Sequence, residues 1–177
     1  MAQSIIDRSI GMVSLNDSTY EEIEHDQSAT TQAAIVVIVA GIATGIGAIG
    51  DEWYSILVSP VAQLVAWVVG AFFIYFVGTR VIPSGHTDAD LGQVLRLLGF
   101  ATVTGIANIL GFIPVVGALI ALVAGILGIV ITVKAIMHAL EMSVLRAIAT
   151  AILAAIVQGI ILLIIGGIFG LSLLAFS

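Results

Sequence analysis

Five long apolar runs, separated by short polar stretches, set the pattern of this chain. They cover about 33–50, 58–77, 97–110, 115–133 and 147–176. A helix needs about 20 apolar residues to cross a hydrocarbon core of about 30 Å, so each run is read as a transmembrane helix. The predicted fold is all-α, a polytopic membrane helix bundle with about five spans. A cytoplasmic N-terminal segment, 1–32, precedes a five-span membrane domain, 33–177.

The shorter signals refine this. Within 4–15, Ile5, Ile6, Ile10 and Val13 fall near one side of a helix with Asp7 and Arg8 elsewhere, which predicts a short helix on the membrane surface. Ser18 followed by Glu21 has the form of a capping box and starts a second, acidic helix that is expected to run into the first span. Pro60 suits the first turn of the second span. Thr87 with Asp90, or Asp88 alone, caps the third helix, and Gly111 to Pro114 makes a tight reversal. Lys134 to Arg146 reads as a polar connection, and the last run is long enough to kink, at Gly166-Gly167.

Composition agrees: the 177 residues are 60% hydrophobic and 9% charged, more apolar surface than a soluble domain of this size can bury. The start of the chain is mixed and acidic, unlike a secretory signal. There is no cysteine, which excludes disulfides and thiolate metal sites. The net charge of -6 owes much to Glu21, Glu22, Glu24 and Asp26. An acidic face beside a membrane suits a protein or a cation better than anionic lipid or nucleic acid. With five spans, Arg8, Arg80, Arg96, Lys134 and Arg146 all fall on the side of the N-terminus. The positive-inside rule then gives a cytoplasmic N-terminus, an external C-terminus and a place in the cell membrane.

Helices in lipid associate through close packing and a few hydrogen bonds. Gly41 and Gly45 in the first span, and Ala147, Ala151, Ala155 and Gly159 at four-residue steps in the last, are the expected packing surfaces. The second of these also suits a homo-oligomer. Asn108, Gln63 and Gln158 are expected to hydrogen-bond between helices.

The middles of the spans hold no Asp, Glu, Lys, Arg or His, which argues against ion-coupled transport and proton pumping. No nucleophile, metal set or acid–base pair at reachable depth suggests an enzyme, and no cofactor is expected. Three polar clusters stand out. Glu21, Glu22, His25 and Asp26 are read as a solvated acidic helix rather than a cation site. In His86, Asp88 and Asp90, capping accounts for the acids more simply than a metal. Lys134, His138, Glu141 and Met142 are read as an interfacial helix with an internal ion pair; a tetrapyrrole on His138 has no support.

The whole pattern resembles the Yip family of five-span membrane proteins, named for binding Ypt/Rab GTPases, and within it the short prokaryotic members. The resemblance rests on Tyr20-Glu21-Glu22-Ile23-Glu24-His25-Asp26 leading through Thr30-Thr31-Gln32-Ala33 into the first span. It rests also on Leu95-Arg96-Leu97-Leu98-Gly99-Phe100-Ala101 in the third helix, and on Leu145-Arg146-Ala147-Ile148 before the fifth. The chain lacks the Asp-Leu-Tyr-Gly-Pro type of motif and carries Thr104 where many relatives have proline. The resemblance implies a non-enzymatic membrane scaffold or adaptor that binds another membrane or cytoplasmic protein. The alternatives are a passive small-solute channel or an accessory subunit of a larger membrane complex. The partner-binding residues would be Glu21, Glu22, Glu24 and Asp26.

Overall fold

The computed structural model describes residues 3–48, 54–83, 89–113 and 115–175, with side chains through 161 and at 163. Every regular element among them is helical. Two short helices, α1 (Ile5–Val13) and α2 (Asp17–His25), precede α3 (Ala29–Gly47) and α4 (Ser55–Phe76), the latter continued by a π-turn over Val77–Val81. Then come α5 (Leu91–Ala101), which tightens into a 3₁₀ stretch over Thr102–Leu110, α6 (Val116–Ala139) and α7 (Val144–Ala175). Five of these are long and apolar enough to cross a membrane, as the hydrophobic pattern predicts.

Side-chain oxygens punctuate the short helices. Ser4 Oγ accepts from Asp7 N at 3.1 Å to start α1. The chain then turns through Leu15, whose φ is 56°. Asn16, not Ser18, caps α2: its Oδ1 accepts from Ser18 N at 3.2 Å and from the Ser18 hydroxyl at 2.9 Å. The expected Ser18–Glu21 box is therefore replaced by an Asx cap two residues earlier. Nor does α2 run into the first span. Asp26 is extended, with ψ of 101°, and its Oδ1 accepts from Ser28 N at 2.9 Å, which resets the chain so that α3 begins at Ala29. Asp90 caps α5 in a full box with Gln93: Gln93 N donates to Asp90 Oδ1 and Asp90 N to Gln93 Oε1, at 2.9 and 2.8 Å. The other proposed caps, Thr87 and Asp88, lie outside the described residues, as does Pro114 of the reversal, in which Gly111 to Ile113 form the turn.

α3 lies innermost. Of its most apolar stretch 44% is buried, against 6% for the α4 span and 11% for α6, so α4 and α6 turn most of their surface outward. Leu57, Val61, Val65 and Phe72 on α4, with Leu119, Leu122 and Ile126 on α6, are exposed and meet lipid. Gly41 and Gly45 do set the α3–α4 approach. A Cβ at Gly41 would stand 2.5 Å from Pro60 Cα, and one at Gly45 2.7 Å from Ile56 Cα. Pro60 sits inside α4, at its sixth residue, and presents backbone to the glycine. Asn108 Nδ2 donates to Thr44 Oγ1 at 3.2 Å, joining the 3₁₀ stretch to α3 as the amide predicts.

The third span gains length from its change of helix type. Eleven α residues followed by nine 3₁₀ residues rise about 34 Å, where twenty α residues would rise about 30 Å. Thr102 marks the change, its Oγ1 donating to the Gly99 carbonyl at 2.7 Å.

The expected four-step stripe on α7 is only half used. Ala147 is buried and Ala151 packs against the core, but Ala155 is exposed and nothing lies within 4 Å of a Cβ placed on Gly159. The buried face instead follows Ala147, Thr150 and Ala154. Steps of four drift around a helix of 3.6 residues per turn, so the stripe leaves the contact by its third member. We expect Ala154→Leu to lower stability in detergent by about 1–3 kcal/mol through overpacking. Ala155→Leu should leave the thermal midpoint unchanged; equal losses at the two positions would restore the four-step stripe. Gln158 lies beside α4, its Oε1 3.6 Å from a Cβ placed on Gly70, but neither it nor Gln63 makes the expected interhelical hydrogen bond among the described residues. α7 runs as one helix from Val144 to Ala175, through Gly166-Gly167, where the pattern predicts a kink.

The most buried large side chains, among them Arg8, Tyr20, Phe100, Met12, Ile23, Leu97 and Ile136, gather where α1 and α2 meet α5 and α6. The core is thus concentrated at one end of the bundle. α1 closes that end with Arg8, Gly11 and Met12 buried, while Ile6, Ile10 and Val13 are exposed. Together with Ile35 and Val39 of α3, these line an apolar groove of about 440 Å³, the surface expected of a helix lying in the membrane interface.

Candidate partner-binding surface

A fully buried Arg8 holds the α1–α2 hairpin together. Its Nη2 donates to Glu22 Oε1 at 2.8 Å and to Asp26 Oδ2, and its Nη1 donates to Gln32 Oε1 at 2.9 Å. Burial opposes the charge on Arg8, and the hydrogen bonds to Glu22 and Asp26 more than offset it, so its pKa is raised. Hydrogen bonds from the Ser28 hydroxyl and Arg8 hold Asp26 at about 2. The satisfaction is incomplete: Arg8 Nε and Glu22 Oε2 are buried without a hydrogen-bond partner among the described residues.

A second cluster fastens α2 to α6. Lys134 Nζ lies 2.7 Å from Asp17 Oδ1 and also donates to the Leu15 carbonyl, while His138 Nε2 donates to the same Asp17 oxygen at 3.3 Å. Lys134 therefore pairs with α2 and not with Glu141, the internal partner expected from sequence. It belongs to the last turns of α6, which runs on to Ala139 and so shortens the polar connection. Tyr20 lies beneath, its ring 5.1 Å from that of His138 and 5.2 Å from Lys134 Nζ, with its hydroxyl donating to the Met12 carbonyl at 3.1 Å. Hydrogen bonds from Lys134 and His138 lower the pKa of Asp17, and burial, followed by the nearby Asp17 charge, raises that of Tyr20.

Arg96 is a third cation turned to structural use. It is buried on α5 among Val94, Leu97 and Leu98, with Nε donating to the Ile23 carbonyl at 3.2 Å and Nη2 to that of Glu24. It thereby satisfies carbonyls that the end of α2 leaves unpaired. Arg146 donates to the Pro83 carbonyl at 3.4 Å, next to the π-turn that carries Arg80. All five basic side chains thus cluster at the hairpin end of the bundle.

The four acids are not one solvated face. Glu21 is exposed, Glu22 and Asp26 are half-buried against Arg8, and Glu24 is buried. Burial, with the nearby Glu141 and Glu21 charges, raises the Glu24 pKa against the lowering by His25 and Arg96. A polar pocket of about 320 Å³ opens here, lined by Glu21, Glu24 and His25 of α2, Met137 and His138 of α6, and Glu141 just beyond it. No three His, Asp or Glu side chains among the described residues are grouped to hold a metal ion. His86 and Asp88, of the other cluster weighed for metal, lie outside the described residues.

Sequence reasoning missed the docking roles of Arg8, Arg96 and Lys134. The available signal was a lone cation on an otherwise apolar helix face. In comparison with known proteins, the family model described as Yip1 domain matches residues 10–166. No curated protein and no solved structure matches the chain.

Proposed function

The chain belongs to the Yip1-domain family, and from that membership we propose that it acts as a non-enzymatic membrane adaptor, holding another membrane or cytoplasmic protein at the hairpin end of its bundle. The observation that supports this best is the use made of the charges at that end. Arg8, Arg96 and Lys134 are consumed in seating α1 and α2, whereas Glu21 and Glu141 stay exposed. A surface whose cations are spent inward and whose carboxylates face out attracts a basic partner. The proposed contact surface is that of Glu21, Glu22, Glu24 and Asp26, of which Glu21 is the exposed member.

Recovery of the partner from native membranes is expected to fall as salt is raised, and Glu21→Gln should lower it about two- to fivefold at low salt. Glu22 and Asp26 are left intact because they hold Arg8. A protein that recovers no partner at any salt, yet passes a small solute when reconstituted alone in liposomes, would replace the adaptor with the passive channel.

The N-terminus and hairpin are proposed to face the cytoplasm, in the cell membrane, because the basic residues cluster at that end. Single cysteines at Phe112 and Ser177 should react with an impermeant thiol reagent on intact cells, and one at Ser143 only after permeabilisation. Phe112 is exposed in the turn before α6, so a probe there is within reach of the reagent. The reverse labelling would invert the topology.

A further inference from the structure

We propose that the pocket between α2 and the end of α6 receives an arginine side chain of the partner protein, its guanidinium shared by Glu24, Glu141 and Glu21. This deepens the adaptor reading and rests on it.

The starting observation is Glu24. It is only 7% exposed, it lines the pocket, and its carboxylate has no hydrogen-bond partner among the described residues. A carboxylate this deep, with its oxygens left to solvent at the pocket rather than to a protein donor, loses part of its hydration without compensation. The nearest built-in cation does not meet the need, because Arg96 directs Nε and Nη2 to backbone carbonyls.

Two further costs converge on the same space. Glu24 stands in the last turn of α2 and Glu141 just past the end of α6, where the helix dipole disfavours negative charge. Glu141 also adopts a left-handed backbone, φ 46°, a conformation that favours glycine or asparagine at a helix end. A carboxylate placed at a strained position, against the dipole and facing other carboxylates is the pattern of a site, and one cation relieves the electrostatic part of that cost.

The shape of the site selects the cation. Its acids and imidazoles are not grouped to hold a metal ion. A volume of about 320 Å³ stands at the small end of ligand pockets and suits a single side-chain head. The carboxylates come from two helices, so a planar group with five donors meets them better than a compact ammonium. His25 adds an acceptor: its Nδ1 donates to the Glu21 carbonyl at 2.8 Å, so a neutral ring keeps Nε2 unprotonated. Met137 supplies an apolar wall for the arginine stem.

The test uses the full chain in detergent, with N-acetyl-arginine amide as probe and its neutral isostere N-acetyl-citrulline amide as control. The Met137 methyl, one of four methionines in the chain, and the His138 ring report binding by NMR. Saturable shifts are expected with the arginine amide and not with citrulline. Glu24→Gln and Glu141→Gln should each weaken binding about tenfold, the value of one charged hydrogen bond. Glu141 is exposed, so its variant tests the pocket even where Glu24→Gln disturbs the fold. Equal shifts with citrulline, wild-type affinity in folded variants, or saturation by phosphoethanolamine or calcium chloride in place of arginine would overturn the proposal. A protein that binds the probe but recovers no partner from membranes sinks the adaptor reading and leaves the pocket. A folded Glu24→Gln variant that keeps its partner and loses the probe sinks the pocket's role and leaves the adaptor.

Discussion

Replacing Arg8 with alanine is expected to release α1 from α2 and the start of α3. The guanidinium is wholly buried and serves Glu22, Asp26 and Gln32 at once, so its removal leaves two carboxylates facing each other without a counter-charge. Breaking a buried pair by deleting one partner costs about 3–5 kcal/mol. The lower end applies here, because the Glu22 and Asp26 side chains keep 29% and 27% exposure and water relieves part of the loss. The measurement is proteolysis of the N-terminal segment alongside thermal unfolding in detergent. Early cleavage within the first 28 residues, with the spans still protected, is the expected result. Removing all the charges together, as Arg8→Met with Glu22→Gln and Asp26→Asn, should recover much of the loss, since a neutral set needs no counter-charge. If Arg8→Ala left protease resistance unchanged, α1 would be held without any contribution from the Arg8 cluster.

Acid should loosen the same contact, and the direction follows from Asp26. Its pKa is depressed to about 2 in the folded chain from an ordinary 3.8, so its contribution is complete above about pH 4 and fades as pH falls toward 2.

What the sequence made legible, and what it hid, divides along the kind of interaction involved. The spans could be read because lipid forces each helix to be long and apolar, a demand that every residue of the helix shares. Gly41 and Gly45 could be read because a pair of glycines four apart on one face has few other uses in a span. The electrostatic interior at the hairpin end could not be read. Arg8 to Asp26 is local, but Arg96 to Glu24 and Lys134 to Leu15 join segments 72 and 119 residues apart, and no periodicity marks such partners. Counting charges put the basic residues together, and they do cluster at one end of the bundle. It did not reveal that three of them work as clamps, because a topological marker and a buried counter-ion are the same residue type in the sequence. The acidic helix was read as solvated for the same reason: Glu21 fits that reading and Glu24, three residues on, does not. The four-step stripe on α7 erred geometrically, being extended past the point where its drift carries it off the contact.

The α3–α4 contact should be the least forgiving packing surface in the chain, and valine at Gly41 or Gly45 should show it. The atoms that a new side chain would strike are backbone: Pro60 Cα at 2.5 Å and Ser59 O at 3.2 Å from a Cβ at Gly41, and Ser55 O at 2.6 Å from one at Gly45. A crowded side chain can change rotamer, but a helix backbone can only move as a whole, so the two helices must part. Parting them also pulls the Ser55 hydroxyl from the Gly45 carbonyl. Overpacking of this kind costs about 1–3 kcal/mol and occasionally more. Replacing glycine in a helix returns less than about 1 kcal/mol, and less for a β-branched residue, so the loss dominates. Gly159→Ala supplies the opposite case. Nothing lies within 4 Å of its Cβ, so only the propensity gain remains and stability should hold or rise by up to about 1 kcal/mol. Thermal midpoints of the three variants in one detergent decide the matter. Losses at Gly41 and Gly45 with none at Gly159 would confirm that these two glycines let backbone meet backbone. A Gly159→Ala variant as unstable as Gly41→Val would mean that α7 also packs through its small residues, against a second copy of the chain.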